Sequence, residues 1–475
     1  MNEKTEGTDV AVLGGGPGGY AAAFLAADLG KQVTLIDEGE NPGGVCLYRG
    51  CIPSKALLHI ARVIAESREA DAWGVKFSSP KIDLDKMRSW KDGVVEKLTS
   101  GLGQLCQARG VRFVRGRGEF LDAKTLRVRK AQGGEENLSF EHAILATGSR
   151  PAAPPGLSFE SDRFLDSTAA LELRDVPKTL LVVGGGYIGL ELGTVYAALG
   201  SKVTVVEMMS GLLPGADRDL VNILAKRLGK TLDAVKLDTK VAELKEAEGG
   251  VQVRFEGEGA RDAEQTFEKV LVSVGRLANS GGLGLENTKV ELDDQGFVKV
   301  DLQCRTAEPS IFAIGDVTGE PMLAHKASHE GRVAAEVIAG GKSAFEPNAI
   351  PAVVFTDPEI AWCGLTETQA KKEKRAVKVA RFPWAASGRA ATLGQGDGVT
   401  KWVIDPETGR VLGVGIAGTG AGELIAEGVL AVEMGALASD VRLSIHPHPT
   451  LSETLMEAAD VFFGQSTHVY RPKRD

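Results

Sequence analysis

The sequence has few cysteines and no long apolar run, and each shortage excludes a class of protein. Five Cys among 475 residues are too few for the disulfide scaffold of a small secreted protein. Gly, Pro or Asp interrupts every apolar stretch before it reaches the length of a membrane span. Met1 to Asp9 lacks the basic and then apolar regions of a signal peptide. We therefore expect a cytoplasmic protein with no membrane partner.

The charge is mildly acidic, and glycine is abundant. The net charge of −9 argues against a nucleic-acid partner. A chain of 475 residues is too long for one core, so it suggests about three domains. The 59 Gly exceed one residue in ten. Because glycine is needed where backbone approaches a ligand or takes positive φ, this abundance indicates several tight phosphate-type loops.

A repeated unit occurs twice in the chain. Val10 to Asp37 consists of an apolar run, a glycine loop, an Ala-rich helix and a second apolar run, and Leu180 to Glu207 has the same plan. Each matched position lies 170 residues after its counterpart, as Gly184 follows Gly14, so no gap is needed. The matched residues are Gly14, Gly16, Gly19, Gly30 and Asp37 with Gly184, Gly186, Gly189, Gly200 and Glu207.

Each unit is typical of a βαβ dinucleotide-binding motif. The first glycine makes the tight turn, the second admits a pyrophosphate, and the third lets the helix pack on the strand. The phosphate lies at the positive end of the helix. Asp37 and Glu207 close the second strands, where a carboxylate accepts from ribose hydroxyls. Two units predict two nucleotides, and electron transfer between FAD and a nicotinamide is the simplest chemistry that unites them.

Two cysteines lie just after the first unit. Pro53 fits the first turn of a helix, so Cys51 is expected near a helix N-terminus, where a thiolate is stabilised. Arg49 and Lys55 add positive charge. Two inert buried cysteines are the alternative, and zinc would require a second pair of ligands at short spacing, which the sequence lacks. The pattern favours Cys46 and Cys51 as a redox-active pair.

A second chemical motif lies near the other end of the chain, where His446 and His448 precede Glu453. A histidine with a carboxylate partner is a general-base arrangement. A surface histidine beside a glutamate is the alternative, and the residues alone do not show that this segment meets the cysteines.

These motifs together resemble the FAD-dependent pyridine nucleotide–disulfide oxidoreductases, from Val10 to about Phe463. The resemblance is strongest to members of that family that oxidise protein-bound dihydrolipoyl groups with NAD. The segments that carry it are Cys46 to Cys51, Gly184 to Met208, Ile311 to His325, Phe382 to Arg389 and His448 to Glu453.

The resemblance implies an α/β fold with two Rossmann-like dinucleotide-binding domains, for FAD and NAD, and a C-terminal α+β dimerisation domain. The expected division is 1–150 for FAD and the redox-active disulfide, 151–277 for NAD, 278–345 for a central domain that completes the FAD site, and 346–475 for the interface. Turn-rich segments at Pro151–Pro155 and Gly341–Ala349 agree with two of these boundaries. The implied partners are a second copy of the chain, forming a homodimer, and the lipoyl domains and acyltransferase component of a 2-oxo acid dehydrogenase complex, or the glycine cleavage system.

The resemblance also implies roles for individual residues. Cys46 would exchange with the substrate, and Cys51 would lie against the flavin. His448, oriented by Glu453, would be the base and would come from the partner subunit. Lys55 and Glu191 would form an ion pair near the flavin, although both could be solvated charges. The implied FAD-site residues are Gly14, Gly16, Gly19, Asp37, Lys55, Gly118, Thr147, Gly148, Asp316 and Ala324. The implied NAD-site residues are Gly184, Gly186, Gly189, Glu207, Val241 and the turn Ser273–Arg276 with Gly275.

Some positions depart from the family pattern, and they separate the nearest alternatives. Tyr48-Arg49 stands between the cysteines where Asn-Val is common, which leaves the local potential at the thiols open. Relatives with a redox pair in the C-terminal tail are disfavoured because the last cysteine is Cys363. Relatives that use NADP place arginines after the second strand, whereas Met208 and Met209 follow Glu207 here. A non-catalytic flavin-binding redox sensor is the alternative from another class.

Overall fold

The first glycine unit forms the centre of a six-stranded sheet. The computed structural model describes residues 6–154, 161–260 and 263–470, so Pro155 of the expected boundary, residues 1–5 and residues 471–475 lie outside the described residues. Strand Glu6–Leu13 pairs in parallel with Val33–Asp37 and with Glu135–Leu145. Val10 to Val12 are fully buried, as expected for a strand covered on both faces. The other strands are Arg112–Asp122, Thr125–Lys130 and Ile311–Ala313.

Two helices cover one face of this sheet and contact each other closely. Helix Pro17–Asp28 follows the glycine loop and packs against helix Ala324–Ile338. Gly18 and Gly331 lie at the contact, where a Cβ on Gly331 would lie 2.5 Å from the Gly18 oxygen. The absence of a side chain there allows the two helices to approach at backbone distance.

The second glycine unit repeats the plan in a five-stranded parallel sheet. Thr179–Val183 is its central strand, and helix Tyr187–Leu199 connects it to Lys202–Val206. The remaining strands of this sheet are Ala234–Lys236, Lys269–Val272 and Phe164–Leu165. An antiparallel sheet of Lys240–Ala247, Gly250–Glu256 and Glu264–Phe267 stands beside it.

A short two-stranded ribbon joins these two units. Ser149–Pro151 leaves the first unit and pairs antiparallel with Arg276–Ala278, which leaves the second. The chain then returns to the first sheet, because Ile311–Ala313 pairs with Glu135–Leu145. The ribbon therefore lies at the junction of the two nucleotide-binding units.

The C-terminal part contains an antiparallel five-stranded sheet with helices on it. Trp384 and Trp402 are fully buried in its core, and the Trp402 indole N–H donates to the Leu455 oxygen over 2.8 Å. The strands, in order, are Ala352–Val354, Ile360–Gly364, Val411–Ala417, Val399–Ile404 and Lys378–Pro383. The principal helices are Ala421–Glu433, Ala438–Leu443 and Glu453–Phe463. The expected fold class is thus confirmed.

Seven further α-helices and four 3₁₀ turns complete the described ranges. The α-helices are Gly44–Arg49, Cys51–Glu69, Leu84–Ala108, Ser167–Glu172, Arg218–Thr231, Glu367–Lys372 and Gly388–Thr392, and the 3₁₀ turns are Ala70–Trp73, Leu285–Asn287, Gly315–Thr318 and Trp384–Ala386. Across the described ranges, no helix combines the length and apolar character that crossing a bilayer requires.

A buried ion cluster ties the second nucleotide-binding unit to the C-terminal sheet. The Lys401 ammonium, 1% exposed, lies 2.8 Å from Asp217, 2.7 Å from Asp219 and 2.7 Å from Glu367. Burial alone would raise the pKa of Asp217, but hydrogen bonds from Lys401 and Thr368 lower it to about 2. Lys401 and Arg381, which lies 2.8 Å from Asp219, together offset two of the three carboxylate charges, and the cluster links helix Arg218–Thr231 to that sheet.

Candidate active site

The first glycine loop forms one wall of a cavity of about 540 Å³. Gly14 takes φ +104°, and a Cβ there would lie 2.2 Å from the Ala146 oxygen. A Cβ at Gly19 would lie 1.8 Å from the Gly14 oxygen, so helix and strand touch through backbone. These contacts are those expected of the first and third glycines of a dinucleotide-binding motif.

The second glycine loop repeats this geometry at a cavity of about 940 Å³. Gly184 takes φ +108°, and a Cβ on Gly189 would lie 2.5 Å from the Gly184 oxygen. Gly186 lines the cavity, and a Cβ there would project into open space. The absence of that Cβ leaves room for a pyrophosphate against the backbone.

The acidic residues that close each unit hold the glycine loops. Asp37 accepts hydrogen bonds from the Gly15 N–H over 2.6 Å and from the Gly39 N–H over 2.8 Å. Glu207 accepts from the Gly185 N–H over 2.7 Å and from the Met209 N–H over 2.8 Å. Each carboxylate lines its own cavity, at the position where the motif binds a ribose. The residues present therefore fit one dinucleotide in each cavity.

Both cysteines line the first cavity on adjacent helices. Cys46 lies in helix Gly44–Arg49, and Cys51 is the first residue of helix Cys51–Glu69. A hydrogen bond with the Cys46 thiol lowers the pKa of Cys51 to about 7, and the nearby Lys55 acts in the same direction. Hydrogen bonding to Cys51 and burial raise the pKa of Cys46. When the two cysteines are reduced and share one proton, the negative charge therefore resides on Cys51.

Lys55 and Glu191 form an ion pair beside the cysteines. The Lys55 ammonium lies 2.8 Å from the Glu191 carboxylate, which is 2% exposed. Glu191 also accepts from the Ser54 hydroxyl and from the Phe355 N–H, each over 3.0 Å. Lys55 lies 4.6 Å from the centre of the Phe355 ring. The Glu191 carboxylate thus has a cation and two hydrogen-bond donors as partners, and it holds the Lys55 ammonium at the cavity wall.

Of the described residues, four line both cavities: Tyr187, Ile188, Arg276 and Met322. They form the wall between the two nucleotide sites. Of these, the sequence predicted only Arg276. Tyr187 and Ile188 directly follow the second glycine loop, a position that could have indicated them. Met322 lies within Ile311 to His325, a segment that carries the family resemblance, although no pattern in the sequence marked Met322 itself as a site residue.

Most of the residues predicted to bind a cofactor line one of the two cavities. The first cavity is lined by Gly14, Gly16, Asp37, Lys55, Thr147, Gly148, Asp316 and Ala324, and the second by Gly184, Gly186, Glu207, Val241, Gly275 and Arg276. Gly19 and Gly189 line neither cavity, and each lies in the helix of its unit, against Gly14 and Gly184 respectively. Gly118 lies in strand Arg112–Asp122 against the Leu13 side chain and is not part of the cavity lining.

His448 and Glu453 form a pair that lies apart from the cysteines. The imidazole Nδ1 of His448 lies 2.9 Å from the Glu453 carboxylate, which also accepts from the Thr450 N–H over 2.8 Å. Burial opposes ionisation of Glu453, but these two partners hold its pKa below the ordinary value. The His448 side chain is 74% exposed and lines neither cavity. Within one chain, His448 and the two thiols therefore do not line the same cavity.

The fold and the site define a disulfide oxidoreductase that uses a flavin and a nicotinamide. The family described as pyridine nucleotide–disulphide oxidoreductase matches residues 8–331, and its dimerisation domain matches residues 350–459. The chain belongs to this family. The predicted family and its cofactors, FAD and NAD, are thereby confirmed.

Two full-length proteins to which the chain is similar are dihydrolipoyl dehydrogenases. The chain is 48% identical to a dihydrolipoyl dehydrogenase from Haemophilus influenzae over 98% of this chain and 97% of that protein. It is also 48% identical to the dihydrolipoyl dehydrogenase of Vibrio cholerae, with the same shares covered.

Two solved structures have a similar fold over nearly the whole chain. LpdA from Mycobacterium tuberculosis has a TM-score of 0.88 at 28% identity, covering 95% of this chain and 99% of that one. The HOCl-induced flavoprotein disulfide reductase RclA from Escherichia coli, as its Cu(II) complex, has a TM-score of 0.85 at 29% identity, covering 98% of this chain and 99% of that one.

Proposed function

We propose that this protein oxidises protein-bound dihydrolipoyl groups to lipoyl groups and reduces NAD. The observation that carries the proposal is the placement of Cys46 and Cys51 in the same cavity as the wall shared by the two nucleotide sites. The near full-length similarity to dihydrolipoyl dehydrogenases supports this substrate. A non-catalytic redox sensor is not favoured, because it has no need of a low-pKa thiol beside a shared wall.

The first half of the reaction is thiol–disulfide exchange at Cys46. His448 takes a proton from one thiol of the substrate, and the thiolate attacks Cys46, which breaks the Cys46–Cys51 bond and forms a mixed disulfide. The second substrate thiol then displaces Cys46 and closes the lipoyl disulfide. The substrate loses two electrons and two protons, and the enzyme gains the Cys46 thiol, the Cys51 thiolate and one proton on His448.

The second half returns the cysteines to the disulfide. Bound FAD supplies the carrier through which the electron pair of the dithiol leaves as hydride to NAD. The chain contributes the Cys51 thiolate, stabilised by Lys55, and releases one proton per hydride. The Glu191 carboxylate fixes Lys55 at the cavity wall, so the charge beside Cys51 keeps one position.

The shared active site follows from the separation of the base and the thiols. His448 is exposed and outside both cavities, and the family's dimerisation domain contains it. In a homodimer, the partner subunit's His448 can face Cys46. This arrangement gives the four proposed domains distinct tasks: FAD and disulfide in 1–150, NAD in 151–277, completion of the FAD site in 278–345, and dimerisation with supply of the base in 346–475.

The macromolecular partner proposed is a lipoyl domain. A dihydrolipoyl group on a flexible arm reaches the Cys46 end of the cavity without the cofactors leaving their sites. The arm belongs to an acyltransferase component of a 2-oxo acid dehydrogenase complex or to the carrier protein of the glycine cleavage system.

Glu207 favours NAD over NADP. Its carboxylate lines the second cavity and receives two backbone hydrogen bonds, which hold it at the ribose position. A 2′-phosphate there would meet like charge, and Met208 and Met209 provide no cation to offset the repulsion.

The direct assay measures NADH formation from dihydrolipoamide. We expect turnover with NAD, a kcat/KM at least 10-fold lower with NADP, and no reduction of glutathione disulfide by NADPH. Turnover of glutathione disulfide without turnover of dihydrolipoamide would contradict the proposed substrate, and equal kcat/KM for NAD and NADP would contradict the role of Glu207.

A further inference from the structure

Ser149 connects the two nucleotide sites through a chain of hydrogen bonds. The Ser149 side chain is 2% exposed, and its hydroxyl donates to the Asp316 carboxylate. The same hydroxyl accepts from Nε of Arg276 over 2.7 Å, and the Ser149 carbonyl accepts from a terminal Arg276 nitrogen over 2.8 Å. Arg276 is thus held at two points by one residue.

The residues of this contact lie where the two cavities adjoin. Asp316 lines the first cavity, and Arg276 lines both. Ser149 and Arg276 also stand on the two strands of the ribbon that joins the nucleotide-binding units. Burial raises the pKa of Tyr187 to about 12, and the charges of Arg276 and Asp316 both act on that hydroxyl at the wall between the cavities.

We propose that Ser149 is a positioning residue for electron transfer between the two nucleotide sites. Its hydroxyl fixes the Arg276 guanidinium relative to Asp316, and so fixes the part of the wall that both nucleotides contact. The inference rests on the proposed function, because it assigns a residue to the exchange of hydride with NAD. The thiol–disulfide exchange at Cys46 does not depend on it.

Arginine needs such a fixed partner because its side chain is long and its donors are directional. A guanidinium that keeps only the carbonyl contact can rotate about that bond, and misplacement of a binding group lowers both affinity and rate. Loss of a hydrogen bond to a charged group predicts an effect of about 10-fold.

The test compares Ser149→Ala with Ser201→Ala in the flavin-loaded protein. Ser201 is a matched control: it is 7% exposed, its hydroxyl donates to the Pro177 oxygen over 2.6 Å, and it lines neither cavity. Calorimetry gives the Kd for NAD, and stopped-flow absorbance gives the rates of flavin reduction by NADH and by dihydrolipoamide, per bound flavin.

For Ser149→Ala we expect about a 10-fold weaker Kd for NAD or a 10-fold slower reduction by NADH, with less than a twofold change in reduction by dihydrolipoamide. Ser201→Ala should change none of these by more than twofold. The double variant Ser149→Ala, Arg276→Gln should equal Arg276→Gln alone, because both substitutions remove one interaction.

Three outcomes would overturn the inference: wild-type values for Ser149→Ala, an equal loss in both half-reactions, or independent, multiplying effects in the double variant. Failure of the proposed function is distinguishable. In that case dihydrolipoamide does not reduce the wild-type flavin, while the NADH reaction and the Kd for NAD still report on Ser149.

Discussion

At the scale of single residues, the two cysteines have opposite electrostatic surroundings. Cys51 begins a helix, accepts a hydrogen bond and faces Lys55, so its pKa falls to about 7, whereas the pKa of Cys46 rises. This asymmetry separates the two tasks of the pair. In the proposed mechanism, Cys51 would store the charge beside the flavin site, and Cys46 would be the thiol that exchanges with a substrate.

Replacing Cys46 with serine should abolish dihydrolipoamide turnover but retain NADH-dependent reduction of an artificial one-electron dye. The dye takes electrons directly from the flavin, so the thiols are bypassed. Steady-state assays of both activities on the same preparation measure the difference. Loss of both activities together would mean that Cys46 has mainly a structural role.

Replacing His448 with glutamine should lower dihydrolipoamide turnover by roughly 10²–10⁴, the usual cost of a lost general base. FAD content should not change, because His448 lines neither cavity. His446→Gln provides a comparison at a second His–Glu pair, since His446 lies 2.9 Å from Glu427. A near-normal rate for His448→Gln would remove this residue from the mechanism.

At the scale of elements, the two glycine units have equivalent structures but different expected ligands. In each unit, the first strand is followed directly by a glycine with positive φ. Each unit closes with a carboxylate that accepts a hydrogen bond from a backbone N–H of the glycine loop. Substitutions at matched positions should therefore affect different cofactors.

Gly19→Ala should reduce the FAD content severely, because its Cβ would lie 1.8 Å from the Gly14 oxygen and push the helix from the strand. Gly189→Ala introduces the same kind of clash, 2.5 Å from the Gly184 oxygen, and should weaken NAD binding while FAD remains bound. Flavin absorbance and the Kd for NAD separate the two effects. Loss of FAD from Gly189→Ala, with Gly19→Ala unaffected, would reverse the assignment of the units.

Local elements were largely predictable from the sequence, because apolar runs and glycine loops are local signals. Both βαβ units form where expected. Boundaries are less predictable: the apolar run Val111–Val114 indicates a short strand, but the strand begins one residue later and extends to Asp122. The extension pairs with Thr125–Lys130 as an antiparallel hairpin, and such a pairing depends on a partner strand that periodicity alone does not reveal.

At the scale of the whole molecule, the sequence did not predict the contacts between distant segments. The Lys401–Asp217 and Ser149–Arg276 contacts join residues more than 120 positions apart, and no spacing rule predicts them. The resemblance to a family supplied the site residues that local patterns could not, such as Glu191 and Asp316. Whether His448 meets the thiols depends on assembly, so neither the sequence pattern nor one folded chain determines it.

A heterodimer of one Cys51→Ala chain and one His448→Ala chain tests whether the active site is shared. If each site combines the thiols of one chain with the base of the other, one site carries both lesions and the other carries none. About half of wild-type activity should then return, because lesions at separate sites act independently. Two different affinity tags allow purification of the heterodimer, and an inactive but flavin-loaded product would refute the shared site.

An anaerobic titration tests whether electrons pass from a dihydrolipoyl dithiol through Cys46 and Cys51 to NAD. The flavin absorbance of the wild-type protein is followed while dihydrolipoamide and then NAD are added. The account predicts a spectral change with dihydrolipoamide, its reversal by NAD, and neither change with dihydrolipoamide in Cys46→Ser. A flavin that NADH reduces but dihydrolipoamide leaves oxidised in the wild-type protein would contradict the account.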